Sequence, residues 1–240
     1  MDLDRKHMTA AEAEAAQIDV GLRSYMLGVY NHMTIGLALT GFFALGTKML
    51  AVSSPAFAQL IFTPPLNWVI MLAPLGMVFF LAARIQSMAA STARMTFYIY
   101  AGVMGLSLAS IFFVFTGESI VRVFFITAAS FAGLSLYGYT TKKSLSGMGS
   151  FLFMGLIGIL IASVVNIFMA STMLQFMISV GGVLVFAGLT AYDTQNIKNM
   201  YIESDGHEVA TKKSIMGALK LYLDFLNMFL FMLQLFGNRE

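Results

Sequence analysis

Four charged side chains stand inside or at the edge of long apolar runs. They are Arg84 in "FLAARIQS", Asp193 in "LTAYDTQNI", and Lys220 and Asp224 in "KLYLDFLNMFLFMLQLF". A charge at membrane depth costs a few kcal/mol or more, so each such residue marks a functional site whose partner has to be identified. The last run also carries a stripe. Lys220, Asp224, Asn227, Phe231 and Gln234 follow one another at helical spacing and share one face. A helix with that face must turn it into a bundle or a water-filled cavity, which places this helix at the centre of the protein.

Two carboxylates that meet in a low-dielectric setting cannot both stay ionised. At ~5 Å and an effective dielectric of ~20 they repel by about 3 kcal/mol. One proton is then shared by Asp193 and Asp224 and leaves near neutral pH, which makes the pair a pH sensor. The ionised pair attracts cations, and an oxygen-only site suits a hard ion such as Ca²⁺. Arg84, held bidentate by one aspartate, would latch its helix to the other two until a proton or a cation loosened the tie. Plainer readings exist for each residue. Asp224 can pair with Lys220 one turn away, Asp193 can be an interfacial carboxylate, and Arg84 can snorkel to head groups. Asn31, His32 and Asn166 read as interhelical hydrogen-bond residues. Glu118 reads as solvated or as lining an outer mouth, and His7 and His207 lie in polar stretches without ligand spacing.

The elements that position these groups follow from composition. Of 240 residues, 58% are hydrophobic and only 11% charged, where soluble domains are roughly 45–50% apolar and about 25% charged. The class is therefore an all-α membrane protein. Spans need about 20 apolar residues, and seven fit: 26–47, 66–86, 95–116, 120–140, 149–169, 173–195 and 215–236. They form one transmembrane domain, 26–237, after a polar segment, 1–25, that reads as a retained cytoplasmic lead-in. No run alternates at period two, so a barrel is excluded. The longer connections are 48–65, with three prolines, and the polar 196–214. With no cysteine in the chain, disulfides and thiolate chemistry are ruled out.

Eleven of the 14 lysines and arginines collect on one side of this topology. Only Lys48, Arg122 and Arg239 fall on the other. The positive-inside rule then puts the N-terminus in the cytoplasm and the C-terminus outside. The two aspartates and Arg84 come to overlapping depths near the cytoplasmic side, with Asp224 about 13 Å along its helix from Ile215. Gly36, Gly41, Gly158 and Ala162 offer small faces for helix packing.

At these residues the chain resembles the Bax inhibitor-1 (transmembrane Bax inhibitor motif) family. "GLTAYDTQNIK" (Gly188–Lys198) is similar to its span-six signature and "ALKLYLDFLNMFLFMLQLFG" (Ala218–Gly237) to its final helix. The short polar N-terminus and compact loops resemble a bacterial member. The resemblance implies seven helices with the C-terminal helix central in the bundle. It also implies a pH-sensitive calcium leak governed by a di-aspartyl pair, which maps to Asp193 and Asp224, with the latch arginine at Arg84. One departure is Gln234, where the family's last helix often carries a basic residue that anchors its outer end.

Two rival functions belong to other classes. Intramembrane aspartyl proteases also carry Tyr-Asp on one helix and Asp on the next, but their second aspartate follows a Gly-x-Gly run. Leu221 and Leu223 hold those places here, so no enzymatic activity is expected. The other rival is a regulator without ion flux, since some bacterial relatives are associated with a membrane-anchored ATP-dependent protease; segment 1–25 would be the part presented. The expected partners are the lipid bilayer, Ca²⁺ and H⁺, with no cofactor and no nucleic acid.

Overall fold

The computed structural model describes the backbone of residues 10–239 and the side chains of 20–239. The first nine residues of the polar lead-in, including Arg5, Lys6 and His7, lie outside the described residues. Eight α-helices follow in order: α1 (Ala10–Ser53), α2 (Pro55–Phe62), α3 (Leu66–Arg84), α4 (Ala90–Leu108), α5 (Gly117–Thr140), α6 (Ser146–Met169), α7 (Thr172–Asn199) and α8 (His207–Phe236). Among the described residues seven helical segments are long and apolar enough to cross a membrane. Only α2 is too short.

The two long connections expected from sequence are mostly helical. Pro55 disfavours helical backbone at the residue before it, so the chain leaves α1 at Ser54, which is extended (φ −135°, ψ 102°). Pro55 then starts α2 at a position where its missing N–H is not needed. The Ser54 hydroxyl accepts from the Phe57 N–H, and the Pro64-Pro65 pair follows the end of α2. At the other connection, α7 runs on to Asn199 and α8 begins at His207, which leaves Met200–Gly206 as the true loop. The polar residues on either side of that loop are helix ends, and the loop is stapled to α8 where Lys213 binds Asp205 (2.5 Å) and the Met200 carbonyl (3.0 Å).

The C-terminal helix is central. Within its apolar window 61% of residues are buried, against 11–33% for the other spans. Helices α1, α4, α5 and α7 pack directly on it, while α3 leans on α4 and α6 on α7 at the periphery. The core therefore follows α8. Tyr222 packs edge-on against Phe97 and Tyr100 at 5.6 and 5.7 Å. Its hydroxyl meets Thr40 Oγ1 at 2.6 Å, and Thr40 in turn donates toward the Gly36 and Ala101 carbonyls. In a membrane interior such groups have no water to bond, so this knot fixes α1, α4 and α8 together.

Small residues act at different places from those expected. A Cβ on Gly36 would meet Phe97 and Tyr222, as packing requires, but Gly41 and Gly158 face open space. The closest backbone approaches are at Gly138, where a Cβ would collide with the Ala191 carbonyl of α7, and at Gly105 against Thr40 of α1. Asn166 does bridge helices, since its amide donates to Gln175 Oε1 (3.1 Å) and its carbonyl accepts the Ser171 N–H (3.0 Å). His32 Nδ1 meets Tyr98 Oη at 2.8 Å. Asn31 and Glu118 are exposed, so neither bridges helices nor lines a closed mouth. The outer end of α8 is anchored without a basic residue at Gln234: Arg122 of α5 donates to the Phe236 carbonyl (3.3 Å), and Arg239 stands over the Phe115 ring.

This packing predicts opposite outcomes for two identical substitutions. Gly138→Ala should cost about 1–3 kcal/mol by forcing α5 and α7 apart. Gly158→Ala should be neutral or gain up to about 1 kcal/mol from helix propensity. Thermal unfolding of both variants in detergent checks this, and equal shifts would contradict the helix contacts described.

Candidate functional site

The site lies between α6, α7 and α8. Helices α7 and α8 run antiparallel from the stapled Met200–Gly206 loop, and this register brings the "AYD" turn of α7 beside the "KLYLD" turn of α8. Helix α6 packs on α7 but does not close onto α8. The gap is a cavity of about 690 Å³ lined by Asp193 and Tyr192 from α7, by Lys220, Asp224, Asn227 and Phe231 from α8, and by Ser150 and Ser163 among the residues of α6.

The structure thus brings Asp193 and Asp224 to one cavity. It also places four members of the α8 stripe there, on the face that the sequence spacing defines. Asp224 is 4% exposed, and its Oδ2 has no hydrogen-bond partner. An unpartnered buried carboxylate oxygen is a costly feature that persists where a ligand or a proton completes it.

Lys220 is the counter-charge. Its ammonium lies 3.8 Å from Asp193 Oδ1, across the helix interface, with the side chains 44% and 15% exposed. The one-turn pair with Asp224 weighed from sequence is not formed among the described residues. Sequence spacing on one helix could not show that the lysine would reach across to α7.

Arg84 is exposed at the end of α3 and is not among the cavity residues. No described carboxylate lies within salt-bridge distance of it. The physical reason is register. The turn after Arg84 meets the first turns of α8, where Lys212 donates to the Gln86 carbonyl (3.2 Å). Lys212 precedes Asp224 by twelve residues, so about 18 Å of helix separates that contact from the carboxylate. In this arrangement the place expected for the latch arginine is held by Lys220.

The stripe ends in a second polar cluster. Gln234 Oε1 accepts from the Gln175 amide and faces the Ser179 hydroxyl, and Gln175 also accepts from Asn166. Between the cavity and this cluster Phe231 lies against Gly182 and stacks on Phe186 with ring centres 6.0 Å apart. Ser150, Ser163, Gln175 and Ser179 had no signal of their own in the sequence; each is a single small or polar residue whose role depends on a neighbouring helix.

A hard cation would find two carboxylates, the Asn227 carbonyl and hydroxyls on this cavity. No cluster of three or more His, Cys, Asp or Glu exists among the described residues, and Ca²⁺ bound permanently takes 6–8 oxygen ligands. A Ca²⁺ ion here would need water to complete its 6–8 oxygen ligands.

Comparison with known proteins agrees with this architecture. A family model described as "Inhibitor of apoptosis-promoting Bax1" matches residues 22–240. An Escherichia coli K12 protein named "Inner membrane protein YbhL" is 47% identical over 223 residues, covering 92% of this chain and 94% of its own length. A Rickettsia prowazekii protein is 46% identical over 222 residues, covering 92% of both chains. A Caulobacter vibrioides protein is 42% identical over 252 residues, covering 100% of this chain and 99% of its own. With a model match across nearly the whole length and relatives 42–47% identical over more than nine-tenths of the chain, the chain is a member of the Bax inhibitor-1 family.

Proposed function

We propose that this protein is a pH-sensitive Ca²⁺ leak of a bacterial inner membrane, with Asp193 and Asp224 as its cation-binding and proton-binding groups. The observation that carries the reading is one cavity bearing both carboxylates, one tied to Lys220 and the other with an unpartnered oxygen. The inner-membrane assignment rests on the printed name of the Escherichia coli relative. The cytoplasmic N-terminus rests on the lysine and arginine distribution.

The charged and titratable groups facing the pair are few. Tyr192 comes from α7 and Lys220 from α8, while the α6 wall offers hydroxyls and apolar groups. Four ionisable groups therefore set the behaviour. With both carboxylates ionised, the lysine ammonium is held at Asp193 and occupies the position of a cation. Sharing one proton between the carboxylates weakens that tie but leaves one negative charge to attract Ca²⁺. With both protonated, the attraction is gone. Ca²⁺ entry thus rises as the pH falls from alkaline toward mildly acidic values and declines again in acid.

Ca²⁺ uptake into proteoliposomes across a pH series tests the pair. Asp193→Asn and Asp224→Asn should each flatten the profile, with uptake reduced at least about tenfold at its maximum, as expected on losing a charged ligand. A wild-type profile in both variants would reject the mechanism.

Lys220→Met should raise uptake at alkaline pH severalfold, because the internal cation is gone. Arg84→Ala should leave it unchanged in the arrangement seen here. The reverse result would return the latch to Arg84 and require α3 to move toward the cavity.

A second reading, regulation of a membrane-anchored ATP-dependent protease, has one structural observation behind it. Helix α1 has 44 residues, about 66 Å at ~1.5 Å per residue, against a hydrocarbon core of about 30 Å. Under this reading the turns of α1 that precede its apolar segment, 10–19, would be the part offered to a partner. Deleting residues 1–19 spares Tyr25, which is buried beside Tyr201. If flux is the function, the deletion leaves Ca²⁺ uptake intact. Loss of membrane-protein turnover control on deletion, together with no Ca²⁺ uptake by the unmodified protein, would establish the regulatory role instead.

A further inference from the structure

A second cavity lies on the opposite side of the bundle, between α1 and α5, and has no part in the aspartate site. Its volume is about 650 Å³, within the roughly 300–1,000 Å³ of clefts that hold ligands. Its floor is apolar and buried, made by Met26, Met33, Phe131 and Phe225. Its rim is open, with Leu27 53% and Leu136 62% exposed. Both walls are membrane-spanning helices, so the opening faces acyl chains and not water.

The cleft carries a charged lining residue at one end only. Arg23 stands there, three residues inside the first span, opposite Tyr139, one residue before the end of the α5 span. These positions coincide with the membrane boundary on the lysine-rich side. The Lys198 ammonium donates to the Tyr139 carbonyl (2.8 Å) and sits 5.0 Å over its ring, and Lys142 follows just past the end of α5. Asp205, the nearest loop carboxylate described, is committed to Lys213. From this end the cleft runs to Leu37 on α1 and Phe124 on α5, fourteen and fifteen residues away, or about 21 Å along the helices. That exceeds the depth of one leaflet, half of a ~30 Å core. The walls are bridged by Tyr30 and Ser135 (2.7 Å), and Ser135 reaches Thr194 (2.9 Å), so the floor's polar groups satisfy one another.

We propose that this cleft is a binding site for a single anionic phospholipid, with one acyl chain lying between α1 and α5 and the phosphate at Arg23. Three features select this occupant over other apolar matter. The cleft opens sideways into the bilayer, it is long enough to take an acyl chain of one leaflet, and cations gather only at the head-group end. A neutral chain would not need the arginine, and a partner helix would need a second, opposing apolar face along the whole groove.

The test uses the full-length protein in bilayers of equimolar phosphatidylglycerol and phosphatidylcholine, extracted gently and weighed by native mass spectrometry. One retained lipid per chain is expected, with phosphatidylglycerol favoured about fivefold, the effect of one basic residue at an anionic surface. Arg23→Gln, an exposed position, should bring the two lipids to parity. Ala132→Phe should empty the cleft. Because that variant adds bulk at a helix interface, a second measurement on the unmodified protein accompanies it: phosphatidylglycerol carrying a photoreactive acyl chain should form adducts on 27–37 and 124–136. No retained lipid, equal retention of both lipids by the unmodified chain, adducts elsewhere, or a dimer protected at these residues would each overturn the proposal.

Discussion

Placing Asp224 inside a membrane protein constrains everything around it. A carboxylate eighteen residues into a thirty-residue helix cannot face lipid, so α8 has to be enclosed on that side. Enclosure is what the burial pattern records: four helices touch α8 and the two least buried spans, α3 and α6, are those that do not pack along it. The bundle is therefore organised by a polar demand, and its apolar core is the material that meets it. Tyr222, two residues before Asp224, illustrates the coupling. The same helix turn that points the carboxylate at the cavity points the phenol at Thr40 and locks α1 and α4 to the far side.

Lys220 gives the site a counter-ion that arrives with the fold. A buried pair of carboxylates without compensation would cost more than the packing around it could offset. The ammonium at 3.8 Å from Asp193 supplies that compensation while remaining partly exposed, so it is held by one interaction and not by a network. A lysine held by one ion pair makes fewer directed bonds than an arginine fork would.

Much of this was legible in the sequence, and the parts that were not share one cause. Span number, the central last helix and the α8 stripe follow from hydropathy and periodicity, which are properties of one helix at a time. That Asp193 and Asp224 line one cavity was reachable because two polar residues in apolar helices must be kept from lipid. The pairing of Lys220 with α7, the exposure of Arg84 and the open surroundings of Gly158 were not. Each depends on the rotation and axial register of one helix against another, and no local pattern encodes those. The proline-bearing stretch 48–65 failed for a different reason. The stretch was read as a connection, but at Pro55 one helix ends and the next begins.

The two cavities show how one helix serves two solvents. Along α8 the residues Lys220, Asp224, Asn227 and Phe231 face the gap left by α6, while Phe225, adjacent to Asp224 in sequence, faces the cleft between α1 and α5. One step along a helix turns the side chain by about 100°, enough to pass from a carboxylate-lined chamber to an apolar one. Both chambers share this wall, and the Tyr222 hydroxyl bonded to Thr40 holds α8 in place between them. The apolar and polar sides of the bundle therefore meet at one fixed helix whose centre carries the charge.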